Sequence, residues 1–121
     1  MAAALGFRNS DGTSGITSLD LGAIPPGKRY SEVAGESKLL YAANTGDVTF
    51  VQTTIQVQQA GADAAFNWAG ISLSSTGGGG KELQLGPLNP QVAAPFYLDV
   101  TVPAEEAGGA HQFNLYLVGI I

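Results

Sequence analysis

From Val51 to Gln58 the chain alternates without a break. Val51, Thr53, Ile55 and Val57 point one way, and Gln52, Thr54, Gln56 and Gln58 the other. Period two over eight residues predicts a half-buried strand, because successive strand side chains leave opposite faces, whereas a helix would scatter them around its circumference. The pattern returns where Phe96, Leu98, Val100 and Val102 alternate with Tyr97, Asp99 and Thr101. It returns again where Phe113, Leu115 and Leu117 alternate with Gln112, Asn114 and Tyr116. Residues 38–44 carry apolar side chains on both faces, Leu40 and Ala42 against Leu39, Tyr41 and Ala43, which predicts a central strand. Leu19, Leu21 and Ala23 predict a first strand ended by Pro25-Pro26-Gly27. Phe66, Trp68, Ile71 and Leu73 predict another, broken at Gly70 where the parity changes, with Trp68 in the core. Leu83 and Leu85 predict a short one before the stiff Gly86-Pro87-Leu88-Asn89-Pro90.

About seven short strands separated by turn signals, with no internal repeat, predict an all-β fold. The expected architecture is an antiparallel, immunoglobulin-like β-sandwich, with a jelly roll or small barrel as the rival that period-two patterning does not separate from it. The last strand is expected to be buried and to pair antiparallel with residues 96–102. Residues 1–18 read as a loose N-terminal arm, because Asn9-Ser10-Asp11-Gly12-Thr13-Ser14-Gly15 is rich in turn formers and lacks an apolar period. Residues 19–121 form the sandwich domain. If the arm orders on a neighbour, Leu5 and Phe7 are its anchors and Arg8 its charge-assisted donor.

Composition narrows the function. At 121 residues the chain is one domain, and it is 45% hydrophobic but only 12% charged, about half the usual share. Net charge is −5, and the five Lys and Arg are scattered, so the clustered cations that neutralise phosphates are missing and nucleic acid is not an expected partner. With no cysteine, disulfides, thiolate nucleophiles and thiolate metal sites are excluded. No apolar run approaches the roughly 20 residues that span a bilayer as a helix, and the N-terminus makes a poor secretory signal.

The candidate chemistry is thin. His111 is the single histidine, and no serine sits in a Gly-x-Ser-x-Gly elbow. Ser75-Thr76-Gly77-Gly78-Gly79-Gly80-Lys81-Glu82 resembles a phosphate loop only superficially: the motif's first Gly is Ser75 and its Ser or Thr after the Lys is Glu82. Asp47, Asp63 and Asp99 lie near strand ends but form no calcium-loop spacing, and Glu105-Glu106 suits a solvated hairpin loop better than a carboxylate pair across a cleft. No catalytic residue, metal ligand or cofactor site is assigned, and an enzyme is not expected. Tyr97 and Tyr116 fall on the outward faces of strands expected to be adjacent. Side by side they would make a stacking platform for a sugar ring, a protein contact, or a cross-strand pair that merely stabilises the sheet.

Several segments carry a resemblance: Leu21-Gly22-Ala23-Ile24-Pro25-Pro26-Gly27, Tyr41-Ala42-Ala43-Asn44-Thr45-Gly46-Asp47-Val48, Gly86-Pro87-Leu88-Asn89-Pro90 and Phe96-Tyr97-Leu98-Asp99-Val100-Thr101-Val102-Pro103. In this order they resemble the disulfide-free immunoglobulin-like modules of bacterial adhesion domains and phage structural proteins. The chain departs from that pattern at Gln91-Val92-Ala93-Ala94, where many such modules carry a Gly-Ser type turn. A small module with a loose arm is similar to phage virion proteins that decorate or cement a capsid. The resemblance implies a non-enzymatic structural protein on the capsid surface, made in the host cytoplasm, with the major capsid protein or another virion protein as partner and a homo-oligomer on the lattice. The alternative is a carbohydrate-binding or adhesion module of a phage tail, fibre or cell surface. Fold alone does not choose between them.

Overall fold

The computed structural model describes residues 3–74, 79–106 and 111–121. The Gly-rich start of the phosphate-loop look-alike and the Ala107-Gly108-Gly109 part of the expected hairpin loop lie outside the described residues. Among the described residues eight strands form two antiparallel sheets: β1 (Leu5–Arg8), β2 (Gly15–Ile16), β3 (Lys38–Asn44), β4 (Phe50–Gln59), β5 (Ala69–Ser72), β6 (Glu82–Leu88), β7 (Ala93–Val100) and β8 (Phe113–Ile120). One sheet has the order β2-β1-β3-β7-β5 and the other β6-β4-β8. The molecule is an all-β sandwich.

The core forms where the inner faces meet. Leu40, Ala42, Phe96, Leu98 and Val100 come from the five-stranded sheet, and Ile55 and Val57, with half-buried Leu83, Leu115 and Leu117, from the other. Phe96, Leu40, Ile55, Ile71 and Leu98 are fully buried, and each contributes about 1.5–3 kcal/mol by leaving water. As expected from its two apolar faces, β3 is central, flanked by β1 and β7.

Several expectations are corrected. The residues expected to form a loose arm supply two strands. β1 pairs with β3 from Leu5↔Asn44 to Arg8↔Tyr41, and β2 folds back on it through Phe7↔Ile16. Asp11 holds the intervening turn by accepting from Ser14 N–H (2.9 Å), Ser14 Oγ (2.7 Å) and Thr13 N–H (2.9 Å), which lowers its pKa to about 2. The alternating residues 19–23 form no strand. There the Asp20 carboxylate accepts from Gly22 N–H (2.8 Å), Gly22 turns to φ +76°, and two prolines without N–H follow. Phe66 and Trp68 lie in a 3₁₀ helix, Ala64–Trp68, started by Asp63, whose carboxylate accepts from Ala65 N–H. Leu73 lies past β5 and is exposed. Val51 faces solvent and Phe50 faces the core, because the β4–β6 register shifts between Phe50 and Thr53.

The last strand pairs with β4 and not with β7. From β3 onward the chain changes sheet at every connection, so strands adjacent in sequence never share a ladder. β8 is accordingly an edge strand, alternating half-buried and exposed residues along its whole length.

At the unusual Gln91-Val92-Ala93-Ala94 segment, Gln91 takes a left-handed φ of 64°. Its side chain donates to the carbonyls of Gly46 (2.9 Å) and Thr45 (3.3 Å), clamping the Asn44-Thr45-Gly46-Asp47 turn.

Candidate protein-binding surface

Neither set of expected contact residues is assembled as expected. Leu5, Phe7 and Arg8 belong to β1: Phe7 packs against Phe96 with ring centroids 5.9 Å apart, and Arg8 Nη1 donates to Gly12 O (3.2 Å) within the same hairpin. They are used by the chain's own fold. Tyr97, in β7, is half-buried on the outer face of the five-stranded sheet opposite Leu39 and Ser72, and Tyr116 is exposed on the outer face of the other sheet opposite Gln56. The two tyrosines stand on opposite outer faces of the sandwich, because their strands belong to different sheets.

A different surface emerges around β4. Gln52, Thr54, Gln56 and Gln58 project outward from it. They stand opposite Ile120, Val118, Tyr116 and Asn114 of β8, and on the other side Thr54 and Gln56 stand opposite Gln84 and Glu82 of β6. Amides are tied along it, with Gln58 Nε2 donating to Gln56 Oε1 (2.9 Å). In an acidic protein this face carries, among the described residues, one charge, Glu82, on the strand farthest from β8. Along β8 it becomes an apolar row in which Tyr116 and Val118 are each 47% exposed and Ile120 54%; Ile121 and Val51 extend it at 71% and 59%. The sequence signal was present in the alternation of β4 and β8, but not which strands share a sheet.

Beside β8 the sandwich is incomplete. The five-stranded sheet extends past the three-stranded one, and a groove of about 680 Å³ opens there, lined by Phe7, Leu40, Leu98, Phe113 and Leu115. Leu21 and Ile24 line it from residues 18–24, and among the described residues no backbone hydrogen bond joins that segment to β8.

At one end of the groove lies the most polar cluster. Asp63 Oδ1 meets His111 Nδ1 at 3.1 Å, Glu106 Oε1 meets His111 Nε2 at 3.1 Å, and Asp63 Oδ2 accepts from Gln112 N–H at 2.9 Å. The imidazole stacks edge-on against Trp68, centroids 4.8 Å apart, so Trp68 caps the core's rim while contacting this cluster. The Asp63 hydrogen bond raises the His111 pKa above its ordinary value. Asp63 is lowered by the N–H groups of Ala65 and Gln112 and by His111. Both ring nitrogens are engaged by carboxylates, so the imidazole serves as a clasp between residues 63 and 111 rather than as a free base. Sequence could not reveal it, since Asp63 and His111 meet only through the fold.

The remaining candidates are occupied. Lys81 Nζ donates to the carbonyls of Asn67 and Ala69, burial lowers its pKa, and a strand follows it rather than a phosphate-binding helix. Asp99 is buried and accepts from Ser31 N–H (3.0 Å), Ser31 Oγ (2.7 Å) and Val100 N–H (2.9 Å). Among the described residues no group of His, Cys, Asp or Glu has metal-holding geometry, and no helix is long and apolar enough to cross a membrane. Comparison with known protein families, with curated proteins and with solved structures gives no match.

Proposed function

We propose that this protein is a non-enzymatic structural protein that docks on another protein through the outer face of its three-stranded sheet. The observation that carries the reading is the nearly uncharged β4–β8 face, with its amides and hydroxyls bordered by Tyr116, Val118 and Ile120. A face of that kind costs little charge desolvation on docking, and tyrosine is favoured at such contacts. Docking through a preformed face replaces the arm-ordering mechanism, since Leu5, Phe7 and Arg8 are engaged within the fold.

The narrower reading is a virion protein of the capsid decoration or cement type, bound to the major capsid protein on the outer shell and stabilising it. It rests on the sequence resemblance and on lattice logic. A weak single contact becomes strong when many copies engage equivalent sites together. Quantitative mass spectrometry of purified virus particles from the source tests it: copies of this chain near a simple fraction of the shell protein support the reading, and absence from particles ends it. Thr54→Glu with Gln56→Glu, on the outer face of β4, is expected to abolish shell binding with the fold retained; unchanged binding would refute this face. The carbohydrate-binding alternative loses its stacking platform, because Tyr97 and Tyr116 lie on opposite faces.

A further inference from the structure

We infer that β8 is a self-complementary edge through which two copies join, strand to strand, across a two-fold axis. The inference goes beyond the docking face and does not rest on it, because association is read on purified protein with no shell present.

Among the described residues the sandwich has four sheet edges, and three are blunted. β2 is two residues long. The free side of β5 is closed by Gly80, whose N–H and carbonyl exchange hydrogen bonds with Ile71 at 3.2 and 2.9 Å. β6 carries Pro87, Glu82 and two register shifts against β4. Pro, charge, bulges and short length are the devices by which edge strands avoid pairing. β8 has none of them: eight residues, Phe113-Asn114-Leu115-Tyr116-Leu117-Val118-Gly119-Ile120, with no charge, no proline and an unshifted register against β4. At about 3.4 Å per residue it offers an edge of roughly 27 Å.

A second copy is the occupant that this edge fits. Two identical strands related by a two-fold axis present matching donors and acceptors in an antiparallel ladder. A chain of net charge −5 repels itself over much of its surface, but no charge projects from β8, and the one charge on the adjoining face, Glu82, lies two strands away. Side chains set the register. Keeping the apolar row on one face requires a residue on the axis, and placing Leu117 there pairs residues 114–120 of the two copies. Tyr116 then faces Val118 of the second copy, an aromatic–β-branched pair of the favoured kind. Leu115 faces Gly119, which is side-chain-free for a reason: a Cβ there would meet Phe50 Cε1 at 2.6 Å and Leu5 Cδ1 at 2.8 Å. The joined sheet runs β6-β4-β8 into the same three strands reversed, and the second copy's edge comes to lie beside the groove that is open next to β8.

One strand pair gives an interface at the small end of stable ones, so a Kd of about 1–100 µM is expected. Sedimentation velocity of the purified full chain across that range should show monomer–dimer exchange. Val118→Lys, an exposed position, should weaken dimerisation at least tenfold with unchanged far-UV circular dichroism. The chain has no cysteine, so Tyr116→Cys with Val118→Cys is a clean probe of register. Mild oxidation should link the double variant into covalent dimers, while each single variant, two positions out of line, should not link. A wild-type monomer well above that range overturns the inference, as does a dimer indifferent to Val118→Lys. Crosslinking by a single variant, or none by the double in a protein that still dimerises, overturns the register.

Discussion

Asn44 closes β3 and is completely buried. Its Nδ2 donates to Val48 O (2.8 Å) and Leu88 O (3.0 Å), and its Oδ1 accepts from Gly46 N–H (3.1 Å). Leu88 belongs to β6, so this one amide stitches the two sheets together across the first crossing between them. Its main chain is used as well, donating to Val92 O and accepting from Gln91 N–H, both at 2.9 Å. Asn44→Ala removes three side-chain hydrogen bonds, each worth about 1 kcal/mol net, and leaves a buried carbonyl without its donor, so the expected loss is about 3–4 kcal/mol. At this chain length that corresponds to a fall in Tm of roughly 10 °C or more. Asn44→Asp keeps the shape but turns a two-proton donor into an acceptor facing two carbonyls, and should be at least as damaging above the carboxylate pKa. Urea unfolding followed by Trp68 fluorescence provides the assay, with Asn114→Ala on the exposed face of β8 as a control expected within about 0.5 kcal/mol of wild type. A loss for Asn44→Ala below about 1 kcal/mol would refute the view that this amide joins the sheets.

Three further predictions follow from the same geometry. His111 has a raised pKa in the fold, so its stabilisation is complete below its ordinary value of 6.5 and is lost as pH rises through the raised one. Asp63, with a lowered pKa, stabilises above its ordinary value and ceases to as pH falls through the lowered one. Tm should therefore decline as pH rises above 6.5 in wild type and not in His111→Gln, with Trp68 fluorescence reporting the same midpoint; an identical decline in both would remove the clasp. Phe7→Ala, which unstacks β1 from Phe96, should cost about 2–4 kcal/mol in chemical denaturation; a loss within about 0.5 kcal/mol would return residues 5–8 to the status of an arm. Thr53 is buried in β4 with its hydroxyl unpartnered, so Thr53→Val should raise stability by about 1 kcal/mol, and a lower Tm would show that the hydroxyl has a partner.

One-sided burial was legible from alternation in β4, β7 and β8, and apolar residues on both faces marked β3, so these four lie close to where the pattern puts them. Alternation reports burial and not pairing, so it misleads wherever burial arises without a ladder. Leu21 packs on the core from a segment whose prolines and Asp20–Gly22 turn forbid pairing. In the opposite sense, Leu5-Gly6-Phe7-Arg8 is too short and too plain to stand out, and it becomes a strand only because β3 offers it an edge. The expected adjacency of Tyr97 and Tyr116 failed for one reason: consecutive strands lie in opposite sheets, and no local pattern encodes that. Asp63 was legible only as an acidic residue near a strand end; its capping of the Ala64–Trp68 turn and its meeting with His111 come from the fold.

Those crossings have a consequence for how the chain reaches its fold. Apart from the β1–β2 hairpin, no ladder can close between one strand and the next to be synthesised. β4, the middle of the smaller sheet, has both its neighbours, β6 and β8, still to come when it leaves the ribosome, and Gln52 waits for Ile120. One side of its backbone stays without a ladder until the last strand has emerged. Pairing of this range is slow, since loop closure is paid for before contacts are made. The uncharged glutamines and threonines alternating along β4 keep one side of the waiting strand compatible with water.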